Sequence, residues 1–199
     1  MHKEILFVDE RPEADHRFLL CDTAGSFAPS IAEGQWACSL IQCMDRAVEQ
    51  TPAIIAVRFG PIPIREREAL VELCTALKRN SHTRNCSIVA LLHSKHRRLL
   101  EDLQQADVDF VRLIGGDTKL DGARMREIVA GLGAQDRLTR HLSVLCPFLH
   151  YRCIDSQREL TTCGAYRDRM VLGGRRLREI CQSENHLHCE YYLNPRPRL

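Results

Sequence analysis

Ala53–Phe59 reads AIIAVRF, an apolar, β-branched run bracketed by Pro52 and by Gly60-Pro61. That composition and length predict a strand buried on both faces, at the centre of the fold. In a doubly wound α/β sheet, chemistry gathers just beyond the carboxyl ends of the middle strands, so the place after Val57 is the reactive one. Arg58 stands there, followed by FGPIP.

The 199 residues, 44% hydrophobic and 27% charged, suffice for one medium domain and a small appendage. A formal charge of +2 on 28 basic and 26 acidic residues is too balanced to demand nucleic acid or an anionic membrane as partner. The opening MHKEILFVDERPEADHR carries charges where a signal peptide needs an apolar core, and no run approaches a membrane span. The expectation is a cytoplasmic protein. Ten cysteines in a reducing compartment point to free thiols or metal ligands rather than disulfides.

Working outward, Ile5–Asp9 (ILFVD) predicts a first buried strand with the acidic pair Asp9-Glu10 at its carboxyl end. Pro12 suits a first helical turn, a helix is expected from Glu13 to about Cys21, and a weak second strand near Phe27–Ile31. Over Gln35–Gln50, Trp36, Leu40, Ile41, Met44, Ala47 and Val48 recur at helical spacing, which puts Cys38 and Cys43 on or beside a core face. Beyond the central strand a helix is expected from Ile64 to Lys78. Then come a strand at Cys86–His93, a helix at Lys95–Gln105, a strand at Asp109–Ile114 and a helix at Asp121–Leu132. Five strands alternating with helices predict a parallel sheet covered on both sides.

The order ILFVDE, SIAEGQWACSLIQCMDRAVEQTPAIIAVRF, CSIVALLHS and ADVDFVRLI resembles the receiver domain of bacterial response regulators, over roughly residues 1–133. The resemblance implies a flavodoxin-like (βα)5 fold of two-component signalling and phosphorelay. There an aspartate ending strand three accepts a phosphoryl group, and Mg²⁺ is held by it and an acidic pair ending strand one. A Ser or Thr and a Lys end strands four and five. Carried over, Asp9 and Glu10 remain as the acidic pair, Val57 or Arg58 replaces the acceptor, strand four ends in Leu92, His93 and Ser94, and strand five offers Arg112 or Leu113 for the lysine. Two carboxylates beside a guanidinium make a poor magnesium site. The expectation is a pseudo-receiver that takes neither phosphate nor Mg²⁺, with Arg58 either paired to Asp9 and Glu10 in place of the metal or turned to solvent. His93 is expected as a passive loop-edge histidine, with a titrating switch as the alternative.

Over 134–145, Leu138, Leu142 and Leu145 suggest a short amphipathic linker helix. In receiver-containing proteins such a linker relays a change or pairs with its copy in a homodimer; the simpler expectation is packing on its own chain. Residues 146–199 form a Cys-rich α+β module, holding Cys146, Cys153, Cys163, Cys181 and Cys189, with strand-like pieces at Leu149–Cys153 and Leu160–Ala165 and a helix near Arg175–Cys181. So little apolar matter suggests that a metal supplies stability. Thiolates suit Zn²⁺ or an iron–sulfur cluster, four of the five serving as ligands: Cys153, Cys163, Cys181 and Cys189, narrowly ahead of a set with Cys146. The spacing lacks C-x2-C pairs, so buried reduced thiols and redox-active thiols stay open.

Arg175, Arg176 and Arg178 in GGRRLRE could approach the phosphates of a nucleic acid, but neighbouring carboxylates make a solvated face the simpler reading. The tyrosines of the tail are expected to pack rather than stack on bases. Three classes follow: a non-enzymatic signalling protein working through protein partners; a redox or ligand sensor with an iron–sulfur or zinc centre; and a transcription regulator that binds DNA through its basic tail.

Overall fold

In the computed structural model, residues 18–24, 35–60, 62–115, 120–156, 158–167 and 170–196 are described. Five short apolar segments among them, Phe18–Cys21 (β1), Trp36–Ala37 (β2), Ile54–Phe59 (β3), Ser87–Leu92 (β4) and Phe110–Leu113 (β5), pair in parallel in the order β2-β1-β3-β4-β5. The molecule is therefore α/β, and the order, which reverses between β1 and β3, is compatible with a flavodoxin-like arrangement. Register explains the two-sided apolar code. Leu19, Cys21, Ile55, Val57, Ile88 and Ala90 face one core, while Phe18, Leu20, Ala56, Val89 and Leu91 face the other.

Helices cover both faces. Leu40–Gln50 (α1), Ile64–Arg79 (α2) and Arg97–Gln105 (α3) bury Cys43, Ala47, Leu70, Leu77, Leu100 and Leu103 on the first face. Gly122–Ala130 (α4) buries Met125, Ile128 and Val129 on the second. α1 starts where the Ser39 side chain accepts the Gln42 N–H at 3.2 Å. It ends at Thr51, whose left-handed backbone (φ 41°) returns its N–H to the Ala47 carbonyl just before Pro52. Ser39→Ala removes that cap and is expected to lower stability by about 1 kcal/mol, seen as a smaller urea midpoint at unchanged slope.

The segments from Ile54 to Ala130 lie within two or three residues of their expected bounds, but the start of the chain does not. Phe18–Cys21, expected to finish a helix, is a strand, because all four side chains are buried between the two helical layers. Trp36–Ala37 is a strand too, so the helix expected from Gln35 begins only at Leu40, and Cys38 is exposed while Cys43 is buried. The strands expected at Ile5–Asp9 and Phe27–Ile31 lie outside the described residues. Over 134–145, a 3-10 turn (Ala134–Asp136) precedes Leu138–Ser143 (α5), and Leu138 and Leu145 enter the first core of their own chain.

The C-terminal segment builds a third, smaller core. Leu149–Cys153 (β6), Glu159–Cys163 (β7) and Met170–Val171 (β8) form an antiparallel sheet in that order. Gly174–Arg176 (α6) then runs into a π-helical turn over Leu177–Cys181, and Glu190–Leu193 (α7) follows. Cys146, Leu149, Cys163, Ala165, Leu172 and Cys181 are its buried residues, with Tyr151, Tyr191 and Tyr192 packed against them as expected, while Tyr166, also expected to pack, is exposed. Among the described residues no helix is long and apolar enough to cross a membrane.

Candidate functional site

Asp22 follows directly on β1 and Arg58 lies within β3. Because Cys21 registers with Val57, the two come next to each other at the carboxyl edge. Arg58 Nη1 donates to Asp22 Oδ2 at 2.8 Å, with the side chains 6% and 1% exposed. The other carboxylate oxygen accepts the Ala24 N–H at 3.1 Å. A charge this deeply enclosed is tolerated only when paired, so each partner fixes the other. The ion pair expected for Arg58 exists with a different partner. Asp9 and Glu10 lie outside the described residues, and Asp22 supplies the carboxylate.

The remaining residues of the expected pocket divide. His93, just past β4, lies beside this pair; burial first, and the Arg58 charge second, lower its pKa, so its ring stays neutral at ordinary pH. Ser94 is exposed. Arg112 is drawn away from the edge: its Nη1 donates to Asp136 Oδ1 at 2.7 Å, and Asp136 also accepts the Gly133 N–H.

A second polar cluster joins the sheet's carboxyl edge to the C-terminal segment. Arg67 of α2 grips Glu159 of β7 with both guanidinium arms, at 3.0 and 3.1 Å. His96 caps α3 by accepting the Leu99 N–H on Nδ1 at 3.1 Å, so its proton sits on Nε2, which donates to Glu159 Oε2 at 3.0 Å. Burial, reinforced by the Arg67 guanidinium, pushes the His96 pKa down to about 4. Burial alone would raise the Glu159 carboxyl, but Arg67 and His96 outweigh it and hold that pKa below its usual range. The Tyr151 ring stacks on His96 at 3.7 Å between centroids, and its hydroxyl accepts the Arg97 N–H. Gln182 and Lys95 exchange hydrogen bonds through their side chains and carbonyls. Helix α2 and the loop after β4 are thereby tied to β6, β7 and the turn after the π-helix.

Three of the five tail cysteines, Cys146, Cys163 and Cys181, share the third core. Cys189 begins α7, with its sulfur 3.9 Å from Arg176 Nη2. Cys153, by contrast, is exposed on β6 and donates its thiol proton to the Asp155 carbonyl at 2.9 Å. The arrangement groups Cys146 with Cys163, Cys181 and Cys189 and leaves Cys153 apart, whereas the narrowly preferred set took Cys153 in place of Cys146. No three His, Cys, Asp or Glu side chains among the described residues are gathered as a single metal ion requires.

No family model matches the chain, and no curated protein or solved structure is similar enough to it to count as a relative. Sequence reasoning missed Asp22, Arg67, His96, Tyr151 and Glu159. FLLCD has the same form as ILFVD, an apolar run closed by aspartate, and that was the signal for Asp22. The docking residues carry no local signature, since their meeting depends on how the tail lies against the sheet.

Proposed function

We propose that the chain is a non-enzymatic signal-transduction protein: a flavodoxin-like pseudo-receiver over residues 1–133 that has no phosphoacceptor and acts through protein contacts. A Cys-rich module, 146–199, is fastened across its signalling edge. The observation that carries this reading is the buried Arg58–Asp22 pair. In a receiver the acceptor aspartate and the acidic group of strand one must both face a hydrated Mg²⁺. Here the strand-three position brings a guanidinium, which neutralises the strand-one carboxylate and repels a dication. An edge held by a permanent pair has one conformation where a receiver has two. Specificity then belongs to the surface around it, including the seam made by Glu159, Arg67 and His96.

The tail arginines support protein contact over nucleic acid, since Arg158 and Arg175 are bound to Asp155 and Glu179 and are offset in charge. Magnesium titration of the full chain by calorimetry tests the reading. No saturable heat is expected at millimolar Mg²⁺, and one-site binding that vanishes in Asp22→Asn would overturn it.

A further inference from the structure

The cysteines of the third core are hard to account for as packing. Of its six buried residues three are thiols, and they come from separate elements: Cys146 from the turn before β6, Cys163 from the end of β7, Cys181 from the end of the π-helical turn. Cys189 completes a set of four from the start of α7, and the Cys146 N–H donates to the Cys181 carbonyl at 2.9 Å, holding two of the elements together. All four thiols lie within one another's electrostatic reach. Cys146, Cys163 and Cys189 are each close enough to Cys181 to act on it electrostatically.

Backbone N–H groups lie close to two of the sulfurs: that of Phe148 near Cys146, and that of Ala165 near Cys163, where the Tyr166 N–H donates to the Cys163 carbonyl at 3.2 Å. A thiolate formed there would find N–H groups at hand. Hydrogen bonds to ligand sulfurs are among the levers that tune metal–thiolate centres. Two cations stand at the rim: Arg176 beside Cys189, and Arg97, whose field favours the thiolate of Cys146 and whose Nη1 donates to the Leu145 carbonyl. A core of this size also lacks the apolar area to hold the seven short elements of the segment by itself.

We propose that Cys146, Cys163, Cys181 and Cys189 ligate a [4Fe–4S] cluster at the heart of the C-terminal segment, with Cys153 outside the ligand set. A cubane is preferred to zinc because the four donors come singly from four elements and no three of them are gathered closely enough to share one ion. A group that brings its own irons and sulfides spans a wider set of thiolates than a single ion does. Binding releases the four thiol protons, and the binding energy adds to that of folding the segment. The inference is independent of the pseudo-receiver reading, because none of its ligands touches the Arg58–Asp22 pair.

The test uses the full chain, purified anaerobically and, if it emerges empty, incubated with ferrous and ferric iron in equal parts, sulfide and a thiol. Roughly four irons and four sulfides per chain are expected, with broad thiolate-to-iron absorption in the visible. Cys153→Ser and Cys38→Ser should keep that content, and Cys163→Ser, Cys181→Ser and Cys189→Ser should each lose most of it. Because a ligand variant can fail to fold, the loaded wild-type chain is also alkylated: half-buried Cys189 should be protected until the iron is chelated, while Cys153 reacts throughout. Zinc in place of iron, no uptake on reconstitution, iron content that survives in Cys163→Ser, or a Cys189 that alkylates equally with and without iron would each overturn the proposal.

Discussion

Arg58→Leu is expected to lower the unfolding free energy by about 3–5 kcal/mol, one of the two largest effects in the molecule. The loss comes less from the missing attraction than from what stays behind. Asp22 is 1% exposed, and without the guanidinium its carboxylate keeps, among the described residues, the Ala24 N–H as partner. Adding Asp22→Asn should recover a substantial part of the loss, because the amide carries no charge to strand and its oxygen can still accept from Ala24. Urea unfolding at neutral pH measures both. A single variant within about 0.5 kcal/mol of wild type, or a double variant weaker than the sum of the singles, would show that the pair does not hold the edge.

Acid should loosen the seam between the sheet and the C-terminal segment. His96 is held near 4 by burial and by Arg67, whereas in the unfolded chain it titrates near its ordinary 6.5. The unfolded state therefore binds a proton that the folded state refuses throughout this window. Stability is fully present above about pH 6.5 and falls as pH drops towards 4, by about 3 kcal/mol in all. The depressed carboxyl of Glu159 acts in the same sense lower down: its contribution is present above the ordinary carboxylate range and lost as pH falls through its folded value. Once protonated, His96 cannot accept the Leu99 N–H, so the α3 cap is lost along with the neutral ring. His93 and His141 are lowered as well, so His96→Asn should flatten only part of the slope between pH 6.5 and 4. A slope identical to wild type in that variant would contradict the assignment.

How far the sequence speaks depends on what decides each feature. AIIAVRF and CSIVALLH were legible as central strands because burial on both faces imposes a run of apolar residues, which nothing else in a chain of this kind requires. Helices α2 and α3 were legible from the spacing of Leu70, Leu73, Leu77 and of Leu99, Leu100, Leu103. FLLC reads as a helix end because four residues are too few to distinguish one period from the other, and burial on both faces makes it a strand. The positive charge at the end of β3 could be read directly, and so could its consequence, a search for a carboxylate. Which carboxylate answered depended on the strand that lies beside β3, information that resides in the sheet order. Glu159, Arg67 and His96 are ordinary surface residues in one dimension, and the grouping of the tail cysteines depends on the turn geometry that brings Cys146 against Cys181 and leaves Cys153 on an exposed strand.

Intact-mass analysis of the full chain after incubation with acetyl phosphate and Mg²⁺ tests most directly the proposal that the Arg58–Asp22 pair stands where a receiver has phosphoryl chemistry. The account predicts an unchanged mass and an unchanged urea midpoint. An acid-labile phosphoryl adduct on an aspartate within residues 1–133, lost in the corresponding Asp→Asn variant, would contradict it.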